Sequence, residues 1–232
     1  MTAVSAADRD AQKRAAAERA VVEVEDGMVL GLGSGSTAAL VIAALAARVA
    51  AGLRVAGIPT SEQSAALARR LGVPLTTFAE HRRIDLTIDG ADQVERGTLA
   101  LVKGLGGALL REKIVASASR RMIVVVDETK LVERLGDRTP LPLEIVPFGA
   151  EAVIERLAAL EGRPELRRRD GKPFVTDNGN YIVDCHFAVI TDPAALETRL
   201  AAIVGVVESG LFLGLASKVI VGTRDGVAEI AP

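Results

Sequence analysis

The chain has 232 residues and a formal net charge of −2, with 49% hydrophobic and only 3% aromatic residues. This length allows one large domain, or a large domain with a small one, and the apolar fraction is sufficient for a buried core. The near-neutral charge and the scarcity of aromatic rings argue against a nucleic-acid partner, which needs a basic field and rings for base stacking.

The first part of the chain alternates helix and strand patterns. Continuous apolar runs predict strands buried on both faces, and the segments between them predict helices. The predicted elements are a helix over 6–24, a strand over 28–32, a helix over 37–51, a strand over 53–57, a helix over 61–71, a strand over 84–88, a weaker strand over 99–102, a helix over 107–119 and a strand over 122–126. This order predicts an α/β fold with a mostly parallel, open, Rossmann-like sheet and helices on both faces.

The pattern changes near Gly136, and residues 139–142 read as a linker. The elements that follow are a strand over 143–147, a helix over 150–160, strands over 165–169 and 181–186, a helix over 192–203 and a strand over 206–212. This β-α-β-β-α-β order is typical of a ferredoxin-like α+β domain. A final hairpin, 218–222 with 227–230, is expected to rejoin the first sheet. We therefore predict a large catalytic domain, 1–136 with 213–232, and a small domain, 137–212.

Several features indicate a soluble, cytoplasmic protein without a membrane partner. Cys185 is the only cysteine, so no internal disulfide can form, and we expect it to be a small buried residue. The polar N-terminal region does not resemble a signal peptide. The longest apolar stretch, 37–47, is too short to cross a bilayer. The one run of like charge, Arg167 to Arg169, is interpreted as a solvated strand end rather than a phosphate patch.

Four polar loops follow predicted strands. Residues 33–37, 89–92 and 127–130 each come directly after an apolar strand, and the loop at Lys103 follows the weaker one. Because the carboxyl ends of parallel strands open into one crevice, we expect these loops to converge on a ligand.

The loop at 33–37 joins a strand to a helix, where glycines permit close approach and free N–H groups attract an anion. The lysine of a Walker A loop is missing, and the dinucleotide pattern has Ala38 in place of its last glycine. A monophosphate is therefore favoured over a dinucleotide, with a serine-capped tight turn as the alternative.

The other loops carry groups suited to proton transfer. Asp89 and Asp92 could bind sugar hydroxyls, act as acid and base or hold a metal, or could simply form a turn. Lys103 beside a glycine turn could stabilise an oxyanion, and Glu112 could be a base, although either could also be a surface residue. The buried stripe of its helix is predicted at Leu110, Ile114 and Ala118, which places Glu112 on another side.

Hydrolase chemistry is disfavoured, and neither histidine is a candidate catalyst. His81 and His186 lack metal-ligand spacing and are interpreted as structural or surface residues. The Gly-x-Ser-x-Gly motif of serine hydrolases is absent.

Four motifs together resemble one family. GLGSGSTA at 31–38, DGAD at 89–92, KGLGGALLREK at 103–113 and DNGN at 177–180 are similar, in that order, to ribose-5-phosphate isomerase of type A. The resemblance implies interconversion of D-ribose 5-phosphate and D-ribulose 5-phosphate through an enediolate, without metal or cofactor. It also implies a homodimer or homotetramer.

The resemblance assigns a role to each candidate residue. Glu112 would carry the proton between C2 and C1, and Lys103 with the turn after it would stabilise the enediolate oxygen. Asp89 and Asp92 would bind the sugar and assist ring opening. The residues expected to bind substrate are Ser34, Gly35, Ser36, Thr37, Gly90, Ala91, Gly104, Leu105, Gly106, Lys130 and Lys13.

Three positions depart from the family pattern. Ser34 stands where threonine is frequent, Gln93 where glutamate is usual, and Leu105 where glycine is common. Because leucine rarely adopts positive φ, we expect Leu105 to hold an ordinary conformation with its side chain turned away from the sugar. The alternatives are a sugar-phosphate deaminase or a CoA transferase on a related scaffold, or a non-catalytic sugar-phosphate sensor.

Overall fold

The computed structural model describes residues 5–231, and six α-helices lie within that range. The first is capped by Ser5, whose hydroxyl accepts a hydrogen bond from the Asp8 N–H at 3.1 Å, while the Ser5 N–H donates to the Asp8 carboxylate. None of the described helices is long and apolar enough to cross a membrane. The helices are α1 (Ala6–Val21), α2 (Gly35–Ala50), α3 (Glu62–Arg70), α4 (Leu109–Ser117), α5 (Ala150–Ala158) and α6 (Pro193–Ala201).

The strands form three main sheets and one short hairpin. In chain order they are β1 (Val29–Leu32), β2 (Ala56–Pro59), β3 (Ile84–Asp89), β4 (Gln93–Glu95), β5 (Leu101–Val102), β6 (Ser119–Asp127), β7 (Leu131–Val132), β8 (Leu141–Ile145), β9 (Arg163–Leu166), β10 (Arg168–Arg169), β11 (Lys172–Pro173), β12 (Tyr181–His186), β13 (Val206–Ser209), β14 (Leu211–Phe212), β15 (Lys218–Thr223) and β16 (Gly226–Ile230).

The central sheet has six strands in the order β2-β1-β3-β6-β15-β16. All neighbours in it are parallel except β15 and β16, which form the predicted hairpin at one edge. The chain moves from β1 to β2 on one side, and β3 lies on the other side of β1. The strand order therefore reverses between β1 and β3, which is where open α/β sheets bind ligands. The predicted α/β class is confirmed.

Both faces of the central sheet are covered. On one face, Leu30, Leu86 and Ile123 pack with buried residues of α1 and α2. On the other face, Val124 and Val219 pack with α4 and with a small sheet of order β14-β5-β4-β7. The second face is thus covered by one helix and a second sheet, rather than by helices alone.

The third sheet carries the ferredoxin-like pattern. Its order is β13-β8-β12-β9, and all its neighbours are antiparallel. Counted within this unit, the order is 4-1-3-2, and α5 and α6 follow its first and third strands. Cys185 is buried in the core of this unit and is a free thiol, as expected. The proposed domain boundaries stay a prediction.

Several predicted strands are placed differently in the structure. The strand predicted at 165–169 divides at Arg167 into β9 and β10, which belong to different sheets. The strand predicted at 53–57 begins only at Ala56, because the Arg54 N–H is bound by Asp26 and the Arg54 carbonyl by Gly27 in a turn. The single strand predicted at 206–212 divides at Gly210 into β13 and β14, which belong to different sheets. A Cβ at Gly210 would lie 2.2 Å from the Lys103 carbonyl oxygen, so this close crossing requires glycine.

Candidate active site

The loops after β1 and β3 are joined where the strand order reverses. The Ser34 N–H donates to Asp89 Oδ1 at 3.1 Å, and the Gly90 N–H donates to the same oxygen at 2.7 Å. A Cβ at Gly33 would lie 2.1 Å from that oxygen, so glycine lets the two loops approach. The predicted convergence of these loops is confirmed.

Lys103 reaches the same place from a different sheet. It follows β5, a strand of the small second sheet rather than of the parallel sheet, and its backbone N–H donates to the Gly210 carbonyl. Its Nζ lies 2.8 Å from Asp89 Oδ2, and donates to the Gly90 carbonyl at 2.7 Å. Lys103 therefore reaches the predicted crevice although its strand is not part of the parallel sheet. Its long side chain crosses from the small sheet to the end of β3.

Glu112 faces the crevice from α4, and the predicted buried stripe of that helix was wrong. The buried residues are Leu109, Glu112, Val115 and Ala116, whereas Ile114 is 47% exposed. The helix buries this other stripe because its neighbours include β3, β6 and the ferredoxin-like sheet. Glu112 is only 5% exposed, and its Oε2 lies 3.3 Å from Lys103 Nζ.

The charged side chains at this centre are almost fully buried, and the pKa values of Glu112 and Lys103 are strongly shifted. Burial raises the pKa of Glu112 to about 8, and although Lys103 opposes this, Asp89 and Asp92 push in the same direction as burial. Burial acts to lower the pKa of Lys103, but Asp89 and Glu112 outweigh it, so this ammonium has a pKa above its ordinary value. Within the described chain, the polar neighbour of the buried Glu112 Oε2 is the Lys103 ammonium at 3.3 Å.

Asp92 is the third carboxylate of the centre. Its Oδ2 accepts a hydrogen bond from the Leu105 N–H at 2.9 Å. Burial raises the pKa of Asp92 above its ordinary value, against the lowering effects of that bond and of Lys103. Asp92 can therefore keep a proton at a higher pH than an exposed aspartate.

The turn after Lys103 uses positive φ at Gly104 (+105°) and Gly107 (+81°). Leu105 is not among the positive-φ residues, and its side chain is 39% exposed and does not line the cavity. The expectation for Leu105 is confirmed, because the flanking glycines supply the unusual backbone conformation.

The opposite end of the crevice is the start of α2. Gly35 has φ +86°, and Gly35, Ser36 and Thr37 line the cavity at the N-terminus of the helix. Lys13 of α1 and Lys130, in a short 3-10 turn after β6, line the same cavity. Two cations and free helical N–H groups make this end suitable for a phosphate.

The Ser34 side chain faces away from that anion site into a cluster of hydroxyls. Its Oγ lies 2.7 Å from Thr60 Oγ1 and 2.8 Å from Ser61 Oγ, and Ser64 lies just beyond. Ser64 in turn donates to the Gly33 carbonyl at 2.7 Å. These hydroxyls were missed in the sequence because no motif marks them. They hold the loop before α2.

Thirteen of the fifteen predicted site residues line one cavity, and the two exceptions are Asp89 and Leu105. Asp89 lies behind Lys103 and orients it, and Leu105 contributes backbone only. Gln93 does not reach the cavity, since its side chain binds Asp137 and the Gly136 N–H. Neither histidine lines the cavity. In the described range, no cluster of three or more His, Cys, Asp or Glu side chains could hold a metal ion.

Comparison with known proteins identifies the family. The model of ribose 5-phosphate isomerase A (phosphoriboisomerase A) matches residues 56–226. The ribose-5-phosphate isomerase A of Gloeobacter violaceus is 57% identical over 225 residues, with 97% of this chain and 98% of that protein covered. The chain belongs to the ribose-5-phosphate isomerase A family. The Gluconobacter oxydans enzyme of the same name is 54% identical, with coverage of 99% and 100%.

Solved structures of the family have the same fold as this chain. A D-ribose-5-phosphate isomerase in complex with phospho-erythronic acid gives a TM-score of 0.94 at 40% identity, with 97% of this chain and 99% of that chain covered. Ribose 5-phosphate isomerase A of Methanocaldococcus jannaschii gives 0.92 at 43% identity, with 96% and 99% covered. As a member of this family, the chain is an isomerase that interconverts ribose 5-phosphate and ribulose 5-phosphate. The deaminase, CoA transferase and sensor alternatives are set aside.

Proposed function

We propose that this isomerase moves its proton with Glu112 and stabilises the resulting enediolate with Lys103 and the turn at 104–106. The observation that carries the proposal is the buried triad in which Lys103 Nζ lies 2.8 Å from Asp89 and 3.3 Å from Glu112. Glu112 lines the cavity, and its Oε2 contacts the Lys103 ammonium at 3.3 Å. It is therefore available to a substrate proton.

The electrostatic setting suits this reaction. A carboxylate works best as a base when its pKa is near the working pH, and burial raises the pKa of Glu112 to about 8. A positioned base contributes about 10²–10⁴-fold to rate. A preorganised donor at the oxyanion lowers the barrier by about 2.7–4 kcal/mol. Lys103 is preorganised because Asp89 and the Gly90 carbonyl fix its ammonium.

Asp92 is assigned to the sugar end of the substrate. It lines the cavity, and burial raises its pKa, so it can hold and return a proton during ring opening. Asp89 has the supporting role of orienting Lys103 and the Ser34 backbone. The geometry thus favours Asp92 over Asp89 as the residue that contacts the sugar.

The phosphate is assigned to the start of α2. The N–H groups of Gly35, Ser36 and Thr37 would bind its oxygens, with Lys13 and Lys130 neutralising its charge. Gly90, Ala91, Gly104 and Gly106 line the cavity between the two ends and would contact the sugar. We expect no cofactor and no catalytic metal.

The test is formation of ribulose 5-phosphate from ribose 5-phosphate, with unphosphorylated ribose as the matched substrate. We expect turnover of the phosphate ester, far weaker turnover of ribose, and full activity after dialysis against EDTA. Equal kcat/KM for the two sugars would contradict the phosphate site. Activity that returns only when metal is added would contradict the metal-free mechanism.

A cytoplasmic location and a homodimer or homotetramer stay predictions. The oligomer is supported by apolar side chains that the single chain leaves in solvent, notably Phe148 at 94% and Val204 at 83% exposure. Light scattering after size-exclusion chromatography would test it, and a monomer at micromolar concentration would contradict it.

A further inference from the structure

Arg167 differs from the two arginines that follow it. Arg168 and Arg169 are exposed, whereas the Arg167 side chain is 15% exposed. Its Nε donates to Asp184 Oδ2 at 2.8 Å, and its Nη2 pairs with Asp184 Oδ1. This two-point contact fixes the plane of the guanidinium. The interpretation of the whole run as solvated is therefore wrong at Arg167.

The third nitrogen of this guanidinium holds the turn after Lys103. Arg167 Nη1 donates to the Leu105 carbonyl at 2.9 Å and to the Gly104 carbonyl at 3.2 Å. Two successive peptide planes are thus held at their oxygens by one cation. The cation comes from the ferredoxin-like part of the chain, where Asp184 lies on β12.

Fixing these oxygens also fixes the N–H groups of the same peptides. In a trans peptide the C=O and N–H point in opposite directions. In the Gly104–Leu105 peptide, the carbonyl goes to Arg167 and the N–H to Asp92. In the Leu105–Gly106 peptide, the carbonyl also goes to Arg167, so the Gly106 N–H points away from Arg167. Gly106 lines the cavity.

Phe174 packs against both the Arg167 guanidinium and the turn after Lys103. The guanidinium of Arg167 lies 5.8 Å from the centre of its ring. The ring occupies the space that a side chain at Gly107 would need, with a Cβ there only 2.5 Å from it. The turn is therefore confined on both sides of Gly106.

We propose that Arg167, oriented by Asp184, is a positioning residue that aims the Gly106 N–H at the enediolate oxygen opposite Lys103. Its charge also polarises the two peptides, which makes their N–H groups stronger donors. This inference rests on the proposed role of Lys103 and its turn. Arg167 itself touches neither the substrate nor the reacting atoms.

The test compares Arg167→Ala with Arg168→Ala. The Arg168 side chain is exposed and donates to the nearby Gly171 carbonyl. Misplacing an oxyanion donor slows the chemical step, so we expect Arg167→Ala to lose roughly 10- to 100-fold in kcat with KM within about twofold. Guanidinium ion added to the solution should restore part of the loss. Arg168→Ala should match wild type.

Phospho-erythronic acid gives a second readout, because its carboxylate can occupy the place of the enediolate oxygens. We expect Arg167→Ala to weaken its inhibition by a factor close to the loss in kcat/KM, and to leave inhibition by inorganic phosphate unchanged. If the alanine variant does not fold, Arg167→Lys replaces it, since one ammonium cannot bind two carbonyls and Asp184 together. The same kcat loss is expected.

Three outcomes would overturn the positioning role. These are an unchanged kcat in a folded Arg167 variant, a rise in KM alone, or equal weakening of phospho-erythronic acid and phosphate. Each is distinct from failure of the proposed function, which would show as an inactive wild-type enzyme or an active Glu112→Gln variant.

Discussion

Replacing Lys103 with methionine removes the cation that lies between the buried carboxylates of Asp89 and Glu112. The side chain keeps similar length but loses the ion pairs of 2.8 and 3.3 Å and the bond to the Gly90 carbonyl. Removing one partner of a buried ion pair costs about 3–5 kcal/mol of stability, because the remaining charge is left uncompensated. A lower Tm is therefore expected.

The effect on the reaction has two parts. Loss of an oxyanion donor should lower kcat by about 10²–10³-fold. Lys103 also lowers the pKa of Glu112, so its removal should raise that pKa further. Because the base must be unprotonated, the acid limb of the kcat profile should move to higher pH.

The assay is kcat for ribose 5-phosphate across pH, below the Tm of each variant. Lys113→Met is the matched control, because Lys113 also lies over the Phe212 ring but pairs with Glu208 and does not line the cavity. It should keep the wild-type profile. An acid limb that stays in place or moves to lower pH in Lys103→Met would refute the electrostatic reasoning.

Two further predictions follow from the charges of the site. The folded pKa of Glu112, about 8, lies above its ordinary value of 4.5. Between these two pH values the folded state binds more protons than the unfolded state. The free energy of unfolding therefore falls as pH rises from 4.5 to about 8. Glu112→Gln should therefore gain stability relative to wild type above pH 8 and less near pH 5, and equal differences by thermal melts at both would contradict this. Lys130→Ala should raise KM for ribose 5-phosphate about tenfold or more with a smaller change in kcat, and an unchanged KM would remove Lys130 from the phosphate site.

The alternation of strands and helices allowed the fold class and the convergence of Ser34 and Asp89 to be predicted. Both depend on local hydrophobic pattern and on the geometry of parallel sheets. The sheet to which β5 belongs could not be predicted, because two residues carry too little pattern. The same holds for the division at Gly210, which depends on the close passage of Lys103.

The site residues were identified mainly through resemblance to the family. The sequence did not predict that they are buried. The pattern of α4 predicted the wrong stripe because Glu112 is an ionisable residue on a buried face, where pairing with Lys103 makes its burial tolerable. The buried position of Arg167 was missed for a different reason. Its partners, Asp184 and the turn at Gly104, are distant in sequence, so an arginine run could not distinguish the buried member from the exposed ones.

The central claim is that Glu112 carries the proton. Its most direct test is kcat of Glu112→Gln for ribose 5-phosphate, with exchange of the substrate C2 hydrogen into heavy water followed in parallel. Loss of kcat by at least about 10²-fold and of exchange, with KM nearly unchanged, is the expected result. A folded Glu112→Gln enzyme that still exchanges and isomerises at the wild-type rate would contradict the claim.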